Sequence, residues 1–337
     1  MSLPPSEIPS GAMRFNSDSQ KLEYYDGSQW VQVNTFSPNL NGGARGITGG
    51  ALDSSATNTI NYVTISSTGN AVDFGDTTFT AAERREGCAS STRGIFCGGF
   101  SSPAAYNNIE YITISSTGNT QDFGDLSTTS KAGATCSNST RGIHYICQQY
   151  PATVNTIDYF TISSTGNTAD FGDVTSGRYF ESTATANTTR GLFFGGYSPS
   201  PAGVVNSIDY ITLSTLGNTQ DFGDVSNAVS AGGNDAATSF ANSTRAIVGA
   251  FYLAYTRVEY VQIQTLGNAV KFGDLIDSKF FRASMNSSTR GIFAGGRSGT
   301  NAMEYVTIQT QGNAVDFGDL TQSLSYQAGF SNAHGGL

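Results

Sequence analysis

Charge is scarce in this 337-residue sequence: Asp, Glu, Lys and Arg together make up 13% of it, with a net charge of -9. No cluster of Lys or Arg is present to neutralise a phosphate backbone or an anionic bilayer, so nucleic acid is excluded as a partner. No apolar run approaches the roughly 18 residues of a spanning helix, and residues 1–6 have neither the cationic nor the apolar part of an export signal. The expectation is a protein made in a cytoplasm, with no membrane insertion. Cysteine is limited to Cys88, Cys97, Cys136 and Cys147, irregularly spaced and without a CxxC pair, which argues against a disulfide scaffold or a zinc site and predicts buried thiols. Histidine occurs only as His144 and His334. Neither has a partner at metal-ligand spacing, so both are read as structural, no metal or cofactor is expected, and the chain is read as a non-enzyme.

Against these absences stand 40 glycines among many Ser, Thr and Asn, a mixture that suits turn-rich β-sheet rather than helix. The phrase Asp-Phe-Gly-Asp recurs, with one copy beginning at Lys271. Its phenylalanines, Phe74, Phe123, Phe171, Phe222, Phe272 and Phe317, are 49, 48, 51, 50 and 45 residues apart, the period of propeller blades. Three other phrases keep step with it. An arginine (Arg45, Arg93, Arg141, Arg190, Arg245, Arg290) opens an apolar run, and an alternating strand surrounds Tyr62, Tyr111, Tyr159, Tyr210, Tyr260 and Tyr305. Gly-Asn, starting at Gly69, Gly118, Gly166, Gly217, Gly267 and Gly312, makes a tight turn. With a short strand between Asp-Phe-Gly-Asp and the next arginine, each unit has four strands. The last such strand, in residues 322–332, has no following unit and is assigned to the first. The fold predicted is all-β: a six-bladed β-propeller over residues 41–337 closed by the C-terminal strand, preceded by a short β-rich segment, residues 1–40.

Spacing separates scaffold from function. The marker tyrosine precedes the marker phenylalanine by 12 residues in every unit, whereas the arginine-to-tyrosine distance runs from 15 to 20 and the phenylalanine-to-arginine distance from 18 to 23. The two varying connections leave one end of a four-stranded meander, so that end is expected to bind a ligand. The segments are Phe100 to Tyr106, Gln148 to Tyr150, Tyr197 to Ala202, Phe251 to Tyr255, Gly296 to Asn301 and Ser226 to Ser239. The candidate ligand residues are Phe100, Tyr106, Tyr150, Tyr197, Tyr252, Tyr255 and Asn301, whose aromatic and polar groups suit sugar rings and hydroxyls. Asp-Phe-Gly in six strand copies, without a glycine-rich loop, is not a kinase motif. The terminal aspartates, with Asp76 as example, are a minor calcium reading. The recurrent acids are expected to cap turns or pair with the arginines. The sequons at Asn138, Asn187, Asn242 and Asn286 are read as turn chemistry.

The apolar runs ending in Gly-Gly, such as Arg93-Gly-Ile-Phe-Cys-Gly-Gly and Arg290-Gly-Ile-Phe-Ala-Gly-Gly, with the tyrosine strand after them, resemble kelch-like β-propellers over residues 44–334. Phenylalanine of Asp-Phe-Gly stands in the place of the kelch tryptophan. The pattern Gly-x-x-Arg-Phe-Asn from Gly11, then Lys-x-Glu-x-Tyr-Asp-Gly-x-x-Trp from Lys21, resembles a module of bacteriophage tail-fibre proteins. That resemblance implies an attachment or oligomerisation segment, with Phe15, Tyr24 and Trp30 at its contacts, in a virion structural protein assembled in a bacterial cytoplasm. The partners expected are other virion proteins, a host surface glycan or protein, and further copies of the chain, a trimer being favoured. A purely architectural capsid or connector subunit is the alternative reading, and a glycan-active enzyme the minor one.

Overall fold

The computed structural model describes residues 8–16, 21–32, 44–52, 56–79, 84–131, 133–147, 154–175, 183–199, 202–226, 237–251, 256–297 and 299–337, which form strands and turns and no helix. The chain divides into two compact units, Met1–Asn41 and Gly42–Leu337.

In the first unit Met13–Asn16, Lys21–Tyr25 and Trp30–Gln32 form an antiparallel sheet. Direct pairing of Met13 with Tyr24 and of Phe15 with Leu22 puts four apolar side chains on one face, and Met13 and Phe15 are 61% and 66% exposed. The other face is knit together: Arg14 Nη2 lies 2.8 Å from Glu23 Oε2, the guanidinium stacks 4.2 Å from the Trp30 ring centre, and Trp30 packs on Tyr25. Trp30 and the pair Phe15 and Tyr24 therefore occupy opposite faces.

Among the described residues the second unit contains six antiparallel sheets of four neighbouring strands, the second of them with an added short strand Phe100–Ser101, and a two-stranded ribbon of Tyr197–Pro199 and Ala202–Val204. The first joins Ala328–Ser331, Arg45–Leu52, Ala56–Thr64 and Val72–Asp76; the second joins Glu86–Ala89, Arg93–Cys97, Ala104–Thr113 and Gln121–Ser130. Ala134–Ser137, Arg141–Tyr145, Thr156–Thr161 and Ala169–Asp173 form the third, and Thr183–Ala186, Arg190–Phe194, Ser207–Thr212 and Gln220–Asp224 the fourth. The fifth is Thr238–Ala241, Arg245–Gly249, Arg257–Gln262 and Val270–Asp274, and the sixth Ala283–Asn286, Arg290–Ala294, Ala302–Thr307 and Val315–Asp319. The last strand in sequence pairs with the first sheet as expected, Ala328 opposite Gly49 and Ser331 opposite Gly46.

Each marker phrase has a packing reason. The second strands are buried on both faces after their arginine, which is why they read as continuous apolar runs. The Asp-Phe-Gly phrase is a β-bulge: Ile157 faces Gly172 and Asp158 faces Asp170, so Phe171 is the extra residue. It turns inward to 2% exposure and meets Tyr159 edge-to-face at 6.2 Å. Burying such a ring contributes about 1.5–3 kcal/mol. The glycine after it has no room for a side chain. At Gly124 an added Cβ would lie 2.4 Å from the Gly166 carbonyl oxygen, on a backbone with φ of 145°.

That close approach belongs to a joint between neighbouring sheets. Gly166 N donates to Phe123 O at 2.7 Å, Asp125 N to Asn167 Oδ1 at 3.0 Å and Thr168 N to Asp125 O at 2.9 Å. The Gly-Asn turn of one unit thus clasps the bulged strand of the unit before it. The clasp recurs at Gly118, Gly217, Gly267 and Gly312, and Gly69 of the first sheet clasps Phe317 of the sixth.

The marker arginines form a second joint at the same end of the sheets. Each guanidinium stacks on its own sheet's tyrosine, 4.3–5.0 Å from the ring centre, and donates Nη1 to a carbonyl of the next sheet. Arg45 reaches Ile114, Arg93 Ile162, Arg141 Leu213, Arg190 Ile263 and Arg245 Ile308. Arg290 of the sixth sheet reaches Ile65 of the first, at 2.9 Å. These arginines do not pair with the acids of Asp-Phe-Gly-Asp: among the described residues the ion pair there is Lys271 with Asp274. Carbonyls take the guanidinium because the tyrosine platform fixes it over the turn of the next sheet.

Candidate functional site

Antiparallel pairing makes the fixed turns, between first and second and between third and fourth strands, leave one end of each sheet. The connections of varying length leave the other. At the fixed end Asn138, Asn187 and Asn242 accept from the backbone of the turn, with Arg141, Arg190 and Arg245 N donating at 2.8 Å. Asn286 departs from this reading. It lies one position earlier, on the strand, donating to Ala241 O, and Ser287 closes the turn instead.

At the varying end the candidate ligand residues are placed unevenly. Phe100 pairs with Ala105 in a short hairpin, is 7% exposed and carries the Lys131 ammonium 3.6 Å from its ring centre. Its ring is therefore packed inside rather than presented, since an apolar side chain beside a strand is more stable covered. Tyr106 stacks on Phe79 at 4.4 Å and is half-buried. Tyr197 lies in a two-stranded ribbon, opposite Val204, and Asn301 is exposed beside the exit of the sixth sheet. Tyr150, Tyr252 and Tyr255, with most of Ser226 to Ser239, lie outside the described residues.

A cavity lies among the first strands of all six sheets and has room for water-sized molecules amounting to about 100 Å³. Side chains tie these strands together in place of a ladder: Thr183 Oγ1 lies 2.9 Å from Ser239 Oγ, Ser284 Oγ donates to Ser239 O, and Ser137 Oγ to Ala89 O. At the fixed-turn end the segment around His334 crosses between sheets. His334 Nε2 is 2.7 Å from Ala89 O of the second sheet, and Gly335 N donates to Ala241 O of the fifth.

The opposite mouth is lopsided. Immediately before the first strands of the second, sixth and first sheets stand Arg84, Phe281 and Tyr326, each in the left-handed region at φ of 57–59°. Phe281 and Tyr326 stack at 4.0 Å, and Arg84 lies 4.5 Å over Tyr326. The following residues are Arg85, Arg282 and Gln327, whereas the third and fifth sheets have Gly133 and Ala237 there. Arg85 is held by Glu110; Arg282 is held by Asp277 and by Glu304 at 2.6 Å. Burial pushes both glutamates upward. Arg85 and the Thr78 and Thr120 hydroxyls outweigh it at Glu110, which ends below the usual carboxylate range, while Glu304 shares its arginine with Asp277 and stays above it.

Glu86 differs from all these acids. It lines the cavity where the other first strands have Ala134, Thr183, Thr238, Ala283 and Ala328. Loss of hydration drives its pKa well upward.

Glu110 and Glu304 belong to a set that the periodic reading missed. The residue before the marker tyrosine is Asn61, Glu110, Asp158, Asp209, Glu259 or Glu304, and all six are buried. Asp158 accepts from Ser127 N at 2.8 Å and Ser127 Oγ at 2.9 Å, Glu259 from Ser226 N, Glu304 from Ile276 N, and Asn61 from Thr321 Oγ1. Each grips the chain as it leaves the preceding sheet. The signal for them was available: acid recurring at one strand position in a sequence poor in charge.

Among the described residues no group of three or more His, Cys, Asp or Glu could hold a metal ion. His144 is buried, with Thr135 Oγ1 2.7 Å from Nδ1 and Ser130 Oγ 2.8 Å from Nε2, and burial lowers its pKa to about 3. The four cysteines are buried thiols. No protein-family model matches the chain, and the search of curated proteins returns no match.

Proposed function

We propose that the six sheets are the blades of a kelch-like propeller closed by the strand Ala328–Ser331, and that the propeller is a non-catalytic binding module of a bacteriophage tail fibre or appendage. The observation that carries the module reading is the division of labour within each sheet. One end is locked by arginine stacks, asparagine caps and glycine clasps repeated in all or most units, while the other holds connections that differ in length and composition. The cyclic order of the joints, with Arg290 on Ile65 and Gly69 on Phe317, supports closure of the ring. The phage reading rests on the Gly11 to Trp30 pattern, and the exposed Met13, Phe15, Leu22 and Tyr24 face supports association of that segment with copies of itself or other virion proteins. Host glycan is the ligand favoured, because several weak sites on one particle raise avidity by roughly 10²–10⁴.

Antibody raised against residues 44–337 and applied to particles from the source of this sequence tests the assignment. Label at a tail tip or fibre end is the expected result. Particles free of label would overturn the virion assignment, and label spread over the head would replace the receptor role by an architectural one.

A further inference from the structure

We propose that the cavity among the six first strands takes a single sugar residue, held by Glu86 on one wall and by the Arg84, Phe281 and Tyr326 mouth on the other. The inference rests on the binding-module reading above and moves the ligand from the outlying loops to the centre.

Three observations carry it. The cavity is crossed at its fixed-turn end by the His334–Gly335 segment, bonded to Ala89 and Ala241 on two different sheets, so entry is from the end with the varying connections. Thr135, Thr183, Ser239 and Ser284, contributed by four sheets, put hydroxyls on its lining beside the rings of Phe240 and Phe330. Their hydroxyls already bond to protein partners, yet each oxygen keeps a lone pair that can accept from a ligand hydroxyl. The repeat does not require the large residues at the mouth: the positions of Arg84 and Arg85 hold Ala132 and Gly133 before the third sheet, Glu181 and Ser182 before the fourth, and Ala236 and Ala237 before the fifth, and the third and fifth sheets form without them.

Glu86 is the sharpest departure. No side-chain hydrogen bond or ion pair joins its carboxyl to another described residue, and the half-buried group lines the cavity with part of its hydration lost. A carboxylate accepts two hydrogen bonds from adjacent hydroxyls of a sugar, which would satisfy it and restore its charge. Arg85, next to Glu86 in the chain, and Arg282 border the cavity with side chains closed to solvent, so they offer no donor to a ligand. The stacked Phe281 and Tyr326 offer apolar edges at the rim. Arg85 and Arg282 are charge-matched by Glu110, Glu304 and Asp277, so the pocket suits an uncharged polyol better than a phosphate or a multiply charged anion.

The test is saturation-transfer NMR on the full chain with glucose, galactose, mannose, rhamnose and N-acetylglucosamine at millimolar concentration, repeated with Glu86→Gln, Ser284→Phe and Tyr197→Ala. Ser284 lines the cavity and is half-buried, glutamine keeps the size of Glu86 without its charge, and thermal unfolding checks that each variant folds. The expected result is transfer to at least one sugar, reduced at least tenfold in affinity by Glu86→Gln, abolished by the filled cavity of Ser284→Phe, and unaffected by Tyr197→Ala. Binding lost in Tyr197→Ala but kept in Glu86→Gln would overturn the pocket and leave the loop-based module standing. No transfer to any sugar with wild-type protein would overturn the pocket as well, and the antibody experiment would then decide the module on its own.

Discussion

A glycine and an arginine show how single residues carry the joints between sheets. Gly124 and Gly166 face each other across one joint with almost the same φ, 145° and 150°. They differ in space: a Cβ on Gly124 meets backbone at 2.4 Å, while on Gly166 it meets nothing within 4 Å. Gly124→Ala is therefore expected to prevent folding or to cost several times more than Gly166→Ala, which carries only the strain of the backbone, about 1–3 kcal/mol. Urea unfolding of the two variants checks the ratio. For Arg190, the stack on Tyr210 and the bond to Ile263 O both depend on a flat, multidentate cation. Arg190→Ala is expected to cost about 1–3 kcal/mol and Arg190→Lys to recover less than half of it, by the same measurement.

His144 gives a pH dependence whose sign follows from its surroundings. Its pKa in the folded chain, about 3, lies below the unfolded value near 6.5, so the folded state holds fewer protons between those limits. The stability it provides is complete above about pH 6.5 and is lost as pH falls toward 3, by about 1.4 kcal/mol per unit. The equivalent strand positions hold Phe96, Phe193 and Phe293, so the site accepts an aromatic ring. His144→Phe should flatten the decline between pH 6.5 and 4.5 in thermal melts; an unchanged slope would place the histidine's titration elsewhere.

At the scale of strands and turns, much was legible because each marker phrase repeats a physical requirement. Tyrosine alternation gave the third strands and the arginine-led apolar runs the second, both with their bounds close to those observed. What the sequence did not disclose is which partner a repeated residue touches. Gly-Asn reads locally as a hairpin turn, yet its amide and carboxamide serve the sheet before it, a contact across more than 40 residues. The buried acids before the marker tyrosines escaped notice for the same reason: their partners leave another sheet. Phe100 was legible as a loop aromatic but not as a buried one, since its cover includes Lys131, a residue 31 positions away. Asp158→Ala tests the grip these acids exert. It takes away the carboxylate that Ser127 N and Ser127 Oγ donate to, and is expected to cost about 1–3 kcal/mol and to raise hydrogen exchange at Ser127 ahead of global unfolding.

For the whole molecule, the account turns on closure. Three independent joints, the arginine stacks, the Gly-Asn clasps and the buried polar residues before the marker tyrosines, link the sixth sheet to the first, where Asn61 stands in for the acid, as they link every earlier pair. The strand Ala328–Ser331 adds backbone pairing with Arg45–Leu52 and places Phe330 against Phe96 of the second sheet at 5.0 Å. Without that strand, the edge of Arg45–Leu52 is unpaired and invites aggregation. The most direct test is to delete residues 322–337 and follow the product by light scattering and thermal unfolding, with the 322–337 peptide then added in trans. The account predicts an aggregating or unfolded chain that the peptide returns toward the native melt; a monomeric truncated chain with unchanged melting temperature would contradict it.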